Sequence, residues 1–356
     1  MIENAGGWTE CKPLTFLGVY CNQNGFLPRG DSMLRLVMLF SLMMFSLMMF
    51  VAGVDAAEKV VKVFVLAGQS NMEGQGVVDL DHLDHYNGGK GTLVWSMQNA
   101  KTKEKMTHLK DAAGKWRVRD DVFVRYQTPH ELKLGNLGIG FAVYPGKHHI
   151  GPELQFGHLL GEHFAEPVLL VKTCWGGKSL YKDFRSPAAG GETGEFYLKM
   201  VADVKYVLSN VGTEIPALKD ARLELAGFVW FQGWNDMFND QARKNYANNL
   251  VHLISDFRKA FDVSELPVVI AETGNMGSEA GKNMLDIREA QAKAAADMRP
   301  LGTTAFVSTT EFARPKELSP NVGHGHHWFG NAESYFLIGD AMGEAMVRLL
   351  PSKDGK

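Results

Sequence analysis

Lys62-Val63-Phe64-Val65-Leu66-Ala67-Gly68-Gln69-Ser70-Asn71-Met72-Glu73-Gly74 is the stretch from which the fold can be read. Its first six residues form a short apolar run, closed by Gly68, that is too continuous for a half-exposed strand. Three similar runs follow at 167–172, 226–231 and 266–271. Such runs suit a parallel sheet covered on both faces. Between them, 196–208 and 245–261 carry a helical period. Strands alternating with helices indicate an α/β fold around a parallel central sheet. Residues 77–150 break the pattern with Gly-rich, charged and aromatic sequence. There, Thr92-Leu93-Val94-Trp95 and Asp121-Val122-Phe123-Val124 read as short strands of a lobe inserted after the first strand.

Composition narrows the function classes. The 356 residues are 45% hydrophobic and 22% charged, with a net charge of −3 and no extended Lys/Arg run. Nucleic acid is therefore not expected as a partner, because phosphate binding needs a clustered positive field. Met33-Leu34-Arg35 opens an apolar run over 36–51, followed by small residues up to Ala57. This reads as a secretory signal peptide over 33–56, with the natural start at Met33 and 1–32 a leader of doubtful status. The mature chain over 57–356 is then exported, periplasmic or secreted, with no stable membrane partner. If the run is not cleaved it becomes a membrane anchor. Cys174 is the one cysteine beyond the leader, so no intramolecular disulfide is expected in the mature chain.

Four motifs carry the chemistry, and three of them directly follow an expected strand, where ligand sites of open α/β sheets lie. In Gly68-Gln69-Ser70-Asn71-Met72, a serine on a tight strand-to-helix turn projects its hydroxyl and offers its own N–H to an oxyanion. A plainer reading makes Ser70 a helix cap. Lys172-Thr173-Cys174-Trp175-Gly176-Gly177 places a glycine pair where a backbone N–H can reach a ligand, or is merely a turn. Cys174 there is read as buried filler. In Gln232-Gly233-Trp234-Asn235-Asp236, the amides can donate to an oxyanion, while Asn235 and Asp236 can equally cap a helix. Last comes His324-Gly325-His326-His327-Trp328, a late histidine loop of the kind that supplies a base to a serine. A metal site joined by His148, His149, His158 and His163 is the alternative, without an HExxH or a cysteine pair to support it.

In this order, the four motifs resemble those of the SGNH hydrolases, specifically the DUF303 group. That group includes carbohydrate esterase family 6 acetylxylan esterases and sialate O-acetylesterases. The likeness runs from Val63 to Met346 and includes Gly151-Pro152-Glu153 and Ile287-Arg288-Glu289-Ala290-Gln291. It implies a three-layer α/β/α sandwich and a serine esterase that removes O-acetyl groups from sugars without metal or organic cofactor. Carried over by position, Ser70 is the nucleophile and His327 the base. The oxyanion hole comes from Ser70, Gly176 or Gly177, and Gln232 or Asn235. Gln69, Asn71, Glu153, Trp175, Trp234 and Arg288 are expected around the substrate.

Two departures stand out. Many relatives place Asp three residues before the histidine, where this chain has His324, and Glu after Gln-Gly, where it has Trp234. The acid is sought among Asp236 (the first choice), Glu153 and Glu272, with a dyad held by a backbone carbonyl also conceivable. A catalytically silent carbohydrate-binding protein and an acyltransferase remain alternative readings. The tryptophans Trp175, Trp230, Trp234 and Trp328 read as sugar-stacking faces or as core. A free imidazole as base predicts activity rising through about pH 6 to 7.

Overall fold

The described residues of the structure, a computed structural model, run from 58 to 351, so the leader and the signal read over 1–56 lie outside them. Seven strands form the central sheet: β1 (Val60–Gly68), β2 (Val122–Gln127), β3 (Leu132–Asn136), β4 (Val168–Cys174), β5 (Arg222–Phe231), β6 (Val268–Ala271) and β7 (Thr304–Val307). Their order is β3-β2-β4-β1-β5-β6-β7, with all pairings parallel except β2–β3. β1 sits at the centre, and 61–67 are without solvent contact save for a half-buried Lys62. That double burial is why its sequence does not alternate.

Among the described residues, six α-helices longer than one turn surround the sheet: α1 (Leu93–Asn99), α2 (Glu153–His163), α3 (Glu195–Glu214), α4 (Asp240–Ala260), α5 (Lys282–Met298) and α6 (Ala332–Leu349). Val61, Val63, Val65 and Ala67 face a core closed by α3, α4 and α5. Phe64 and Leu66 face the opposite core, closed by α2 and α6. The result is the three-layer α/β/α sandwich. Among the described residues no helix is long and apolar enough to cross a membrane.

The stretch 77–150 differs from its expected form in two respects. Thr92-Leu93-Val94-Trp95 does not extend: Thr92 Oγ1 accepts the Trp95 N–H and caps α1. Asp121-Val122-Phe123-Val124 does enter a strand, but β2 pairs with β4 and belongs to the main sheet. An apolar run read without its partner shows no sheet of origin.

α2 is tied to the sheet by an ion pair between Lys172 on β4 and Glu153, 2.7 Å apart with both side chains without solvent contact. The Lys172 ammonium also donates to the carbonyls of Glu73 and Phe141 and lies over the Tyr126 ring. All three protons are therefore satisfied. Removing one partner strands the other charge, which typically costs about 3–5 kcal/mol. Glu153→Ala is accordingly expected to lower the unfolding free energy by about that amount, read as a shifted denaturant midpoint with an unchanged slope.

Candidate active site

The serine turn is shaped by backbone contacts at the carboxyl ends of β1, β4 and β5. Gly68 has φ 154°, and a Cβ there would lie 2.1 Å from the Phe231 carbonyl oxygen. The Gln69 N–H donates to that same oxygen at 3.3 Å, and the Trp175 N–H donates to Gly68 O at 3.1 Å. The chain then turns at once into a single helical turn, Ser70–Glu73, whose Met72 and Glu73 N–H groups return to Gln69 O. The Ser70 hydroxyl is left at the sheet edge, 2.9 Å from His327 Nε2.

His327 reaches it from the stretch Gly325–Gly330, in which Trp328 and Phe329 both take φ 54°. Two residues hold this loop in register. Asn71 donates from Nδ2 to the His326 carbonyl at 3.1 Å, and its Oδ1 accepts from the Tyr335 hydroxyl at 2.7 Å. That hydroxyl also lies 3.3 Å from the His327 carbonyl. Asn71, expected at the substrate, is thus nearly buried and braces the histidine instead. In the sequence, a tyrosine on an apolar helix face gives no sign of the partner its hydroxyl will meet.

No carboxylate is hydrogen-bonded to the His327 ring among the described residues. Asp236 is engaged elsewhere: its oxygens accept from the Leu180 and Tyr181 N–H groups and from Gln232 Nε2. Burial pushes its carboxyl up to about 6 despite these donors. Glu153 holds Lys172 and the Gly151 N–H. Glu272 gathers Ser308, Thr309 and Thr310 behind β7. What lies against the His327 ring is another imidazole, His326, with centroids 4.0 Å apart, and the His324 ring is 6.3 Å away. Burial first, then these two like-charged neighbours, push His327 down to about 3. His327 is therefore held neutral, and in the tautomer with its proton on Nδ1 its Nε2 accepts from the Ser70 hydroxyl.

The expected oxyanion donors divide. The Gly176 N–H is already bound to the Glu73 carboxylate at 3.0 Å. Burial raises the Glu73 carboxyl, and this N–H opposes the shift. Gln232 has both amide protons engaged, by the Lys178 carbonyl and by Asp236. The Ser70 and Gly177 N–H groups and the Asn235 amide protons are without partners among the described residues. Asn235 is oriented by Gln69, whose Oε1 accepts the Gly233 N–H and whose Nε2 donates to Asn235 Oδ1, both at 3.1 Å. An N–H can only meet an oxygen, so this chain of bonds decides which end of each amide faces which. Both ends of the Gln69 amide are thus taken up within the protein.

The other expected substrate contacts are mostly structural. Arg288 spends its guanidinium on the carbonyls of Thr273, Asn275 and Gly277. Trp175 is buried against Phe184 and Phe196, and Trp230 and Trp328 are buried too. Trp234 is half-buried, with its ring 5.5 Å from that of His326 and beside the exposed Phe238. It is the tryptophan of the four that can meet a sugar. Cys174 is fully buried and its thiol is pushed far up by that burial, as befits filler. No group of three or more His, Cys, Asp or Glu among the described residues is placed to hold a metal ion.

With this geometry in place, comparison with known proteins is decisive. The sequence model of the family described as "Carbohydrate esterase, sialic acid-specific acetylesterase" matches residues 60–348. The chain belongs to this family. It is accordingly a carboxylic ester hydrolase, and the family's activity is the removal of O-acetyl groups from carbohydrates. The chain is also similar to a "Probable carbohydrate esterase" of Arabidopsis thaliana, with 24% identity over 232 residues covering 65% of this chain and 74% of the relative. The X-ray structure of an Arabidopsis thaliana protein superimposes with a TM-score of 0.50 at 15% identity, over 82% of this chain and 99% of that one. A carbohydrate acetylesterase from Xanthomonas citri gives 0.47 at 15% identity, over 81% and 56%.

A lowered imidazole pKa has a definite consequence for the esterase. Between about pH 3 and 6.5 an unfolded chain binds a proton at His327 that the folded one refuses. This contribution to stability is therefore present above about 6.5 and is lost as pH falls towards 3. In an NMR titration the His327 ring is expected to stay neutral at pH 5, in contrast to a free imidazole. A midpoint near 6.5 would contradict the burial argument.

Proposed function

We propose that Ser70 and His327 form a catalytic dyad that removes O-acetyl groups from a carbohydrate chain. The observation that carries this is the 2.9 Å contact between Ser70 Oγ and His327 Nε2, at a place where three N–H donors remain unengaged. In this reading the Ser70 oxygen attacks the acetyl carbonyl carbon as His327 takes its proton. The carbonyl electrons move to oxygen, where the Ser70 N–H, the Gly177 N–H and the Asn235 amide hold the negative charge. His327 then returns the proton to the departing sugar oxygen, leaving acetyl-Ser70. A water deprotonated by His327 attacks the acetyl group, acetate departs, and Ser70 recovers its proton.

Asp236 has no part in this scheme, because its contacts bind the turn at 178–181 to the end of β5. The imidazole is oriented instead by the backbone grip of Asn71 and Tyr335 and by packing against His326. Trp234 and Phe238 supply the aromatic surface on which a sugar ring can rest. The signal-like sequence over 33–56 supports an exported enzyme that meets its glycan outside the cytoplasm.

Ser70→Ala and His327→Ala are each expected to lower kcat by several orders of magnitude, and the double variant by little more, because the pair acts as a unit. Acetate release from an acetylated sugar measures this. A double variant much worse than either single one would break the dyad. A second expectation concerns the missing acid. His324→Asp replaces a like charge with an opposite one, which raises an imidazole pKa by about 1–3 units. Because the base must be neutral, the acid limb of kcat/KM should move upward by that amount, and the plateau rate should rise. An unmoved limb would show that position 324 does not communicate with His327.

A further inference from the structure

The loop that delivers His327 to Ser70 has a second side. Gly325, Trp328 and Phe329 form one wall of a cavity of about 790 Å³, closed by the segments that follow β6 and β7. That volume is far beyond the needs of an acetyl group and is typical of a site for a whole small molecule. Another cavity, of about 870 Å³, opens by contrast at the opposite end of the sheet, around Lys62, Glu224 and Pro267.

Several observations at this cavity converge. Met276, Trp328 and Phe329, all in its lining, hold left-handed backbone conformations with φ 71°, 54° and 54°. Behind the lining, neither the buried indole N–H of Trp328 nor Oδ1 of the buried Asn275 has a hydrogen-bond partner among the described residues, and Asn275 Nδ2 lies 3.5 Å from the Gly325 carbonyl. Strained backbone and unsatisfied polar atoms gather where a ligand clamps a loop. The rim is low beside the histidines: a Cβ on Gly323 would meet nothing within 4 Å.

The chemistry of the lining selects among ligands. Arg314 is held by a two-pronged ion pair with Glu333. Glu279, Glu311, Glu317 and Lys316 are exposed and have no ion-pair partner among the described residues. Three negative charges against one positive repel a carboxylate-bearing sugar. Carboxylates accept hydrogen bonds from hydroxyls, an ammonium donates to them, and Phe329 and Pro315 add apolar surface for a ring. We propose that this cavity is a second saccharide subsite, for an uncharged sugar unit of the chain whose acetyl ester lies at Ser70. The proposal rests on the reading of Ser70 and His327 as the reaction centre.

The test compares kcat/KM on O-acetylated xylotetraose and O-acetylated mannotetraose with that on the acetylated monosaccharides and on 4-nitrophenyl acetate. At least one tetrasaccharide should exceed its monosaccharide about tenfold, the order of one well-bound ring. Glu311→Ala combined with Lys316→Ala should abolish that preference while 4-nitrophenyl acetate is still cleaved at the original rate. Glu279→Lys combined with Glu317→Lys should instead favour an acetylated tetrasaccharide that carries a uronic acid. No length preference on either neutral chain overturns the subsite, as does a preference that survives the first double variant. An equal loss on the small ester would assign these residues to support of the His loop and overturn it as well. Should Ser70→Ala retain activity, the reaction centre fails while the length preference still reports on the subsite.

Discussion

At Gly68 the central strand passes so close to the Phe231 carbonyl that no side chain fits between them. The rest of the reaction centre depends on that contact. Because β1 and β5 converge there, the Gln69 N–H reaches Phe231 O, and the Gln69 amide spans from Gly233 to Asn235. Because the strand can go no further, the chain turns immediately into the helical turn that starts at Ser70. Ser70, its own N–H and the Asn235 amide are thus placed by one steric condition, backed by a sheet whose two faces are buried.

The histidine is placed by other means. Serine hydrolases commonly orient the base with a carboxylate, which also stabilises the imidazolium once it forms. Here Asn71 and Tyr335 grip the backbone of the loop, and His326 covers one side of the ring, resting in turn against Trp234. In the proposed dyad this arrangement fixes orientation and keeps the imidazole neutral, but it opposes the charge that an imidazolium would carry. The histidine at 324 adds to that opposition. In the proposed dyad, positioning is thus retained without the opposite charge that an aspartate would add.

Burial has a further effect across this edge of the sheet. Glu73, Glu153, Asp236 and Glu272 all lie near the serine turn or the loops around it, and each is committed to backbone N–H groups or to Lys172. These carboxylates shape the loops that surround the reaction centre. The side chains that remain open here are Trp234, beside His326, the exposed Phe238 and the mixed charges beyond the histidine loop.

The central strands β1, β4, β5 and β6 and the helices α3 and α4 were legible in the sequence, because a doubly buried strand must be continuously apolar and a covering helix must be amphipathic. The serine turn was legible too, since glycine is demanded by a close backbone approach and the motif follows directly on β1. His327 was singled out through its resemblance to a family pattern, and the fold brings its ring to Ser70. Residue roles were not legible. Asp236, Glu153 and Arg288 look like reagents in one dimension, yet each satisfies backbone groups or a buried lysine contributed by a distant segment. Gln69 and Asn71 sit beside the nucleophile in sequence but turn inward to brace Asn235 and the histidine loop. Which N–H groups remain free was likewise undecidable, because Gly176 and Gly177 are chemically alike and only one of them meets Glu73. Strand and helix follow from the local pattern of burial, whereas the role of a polar side chain depends on which partner, often more than a hundred residues away, is brought within 3 Å by the fold.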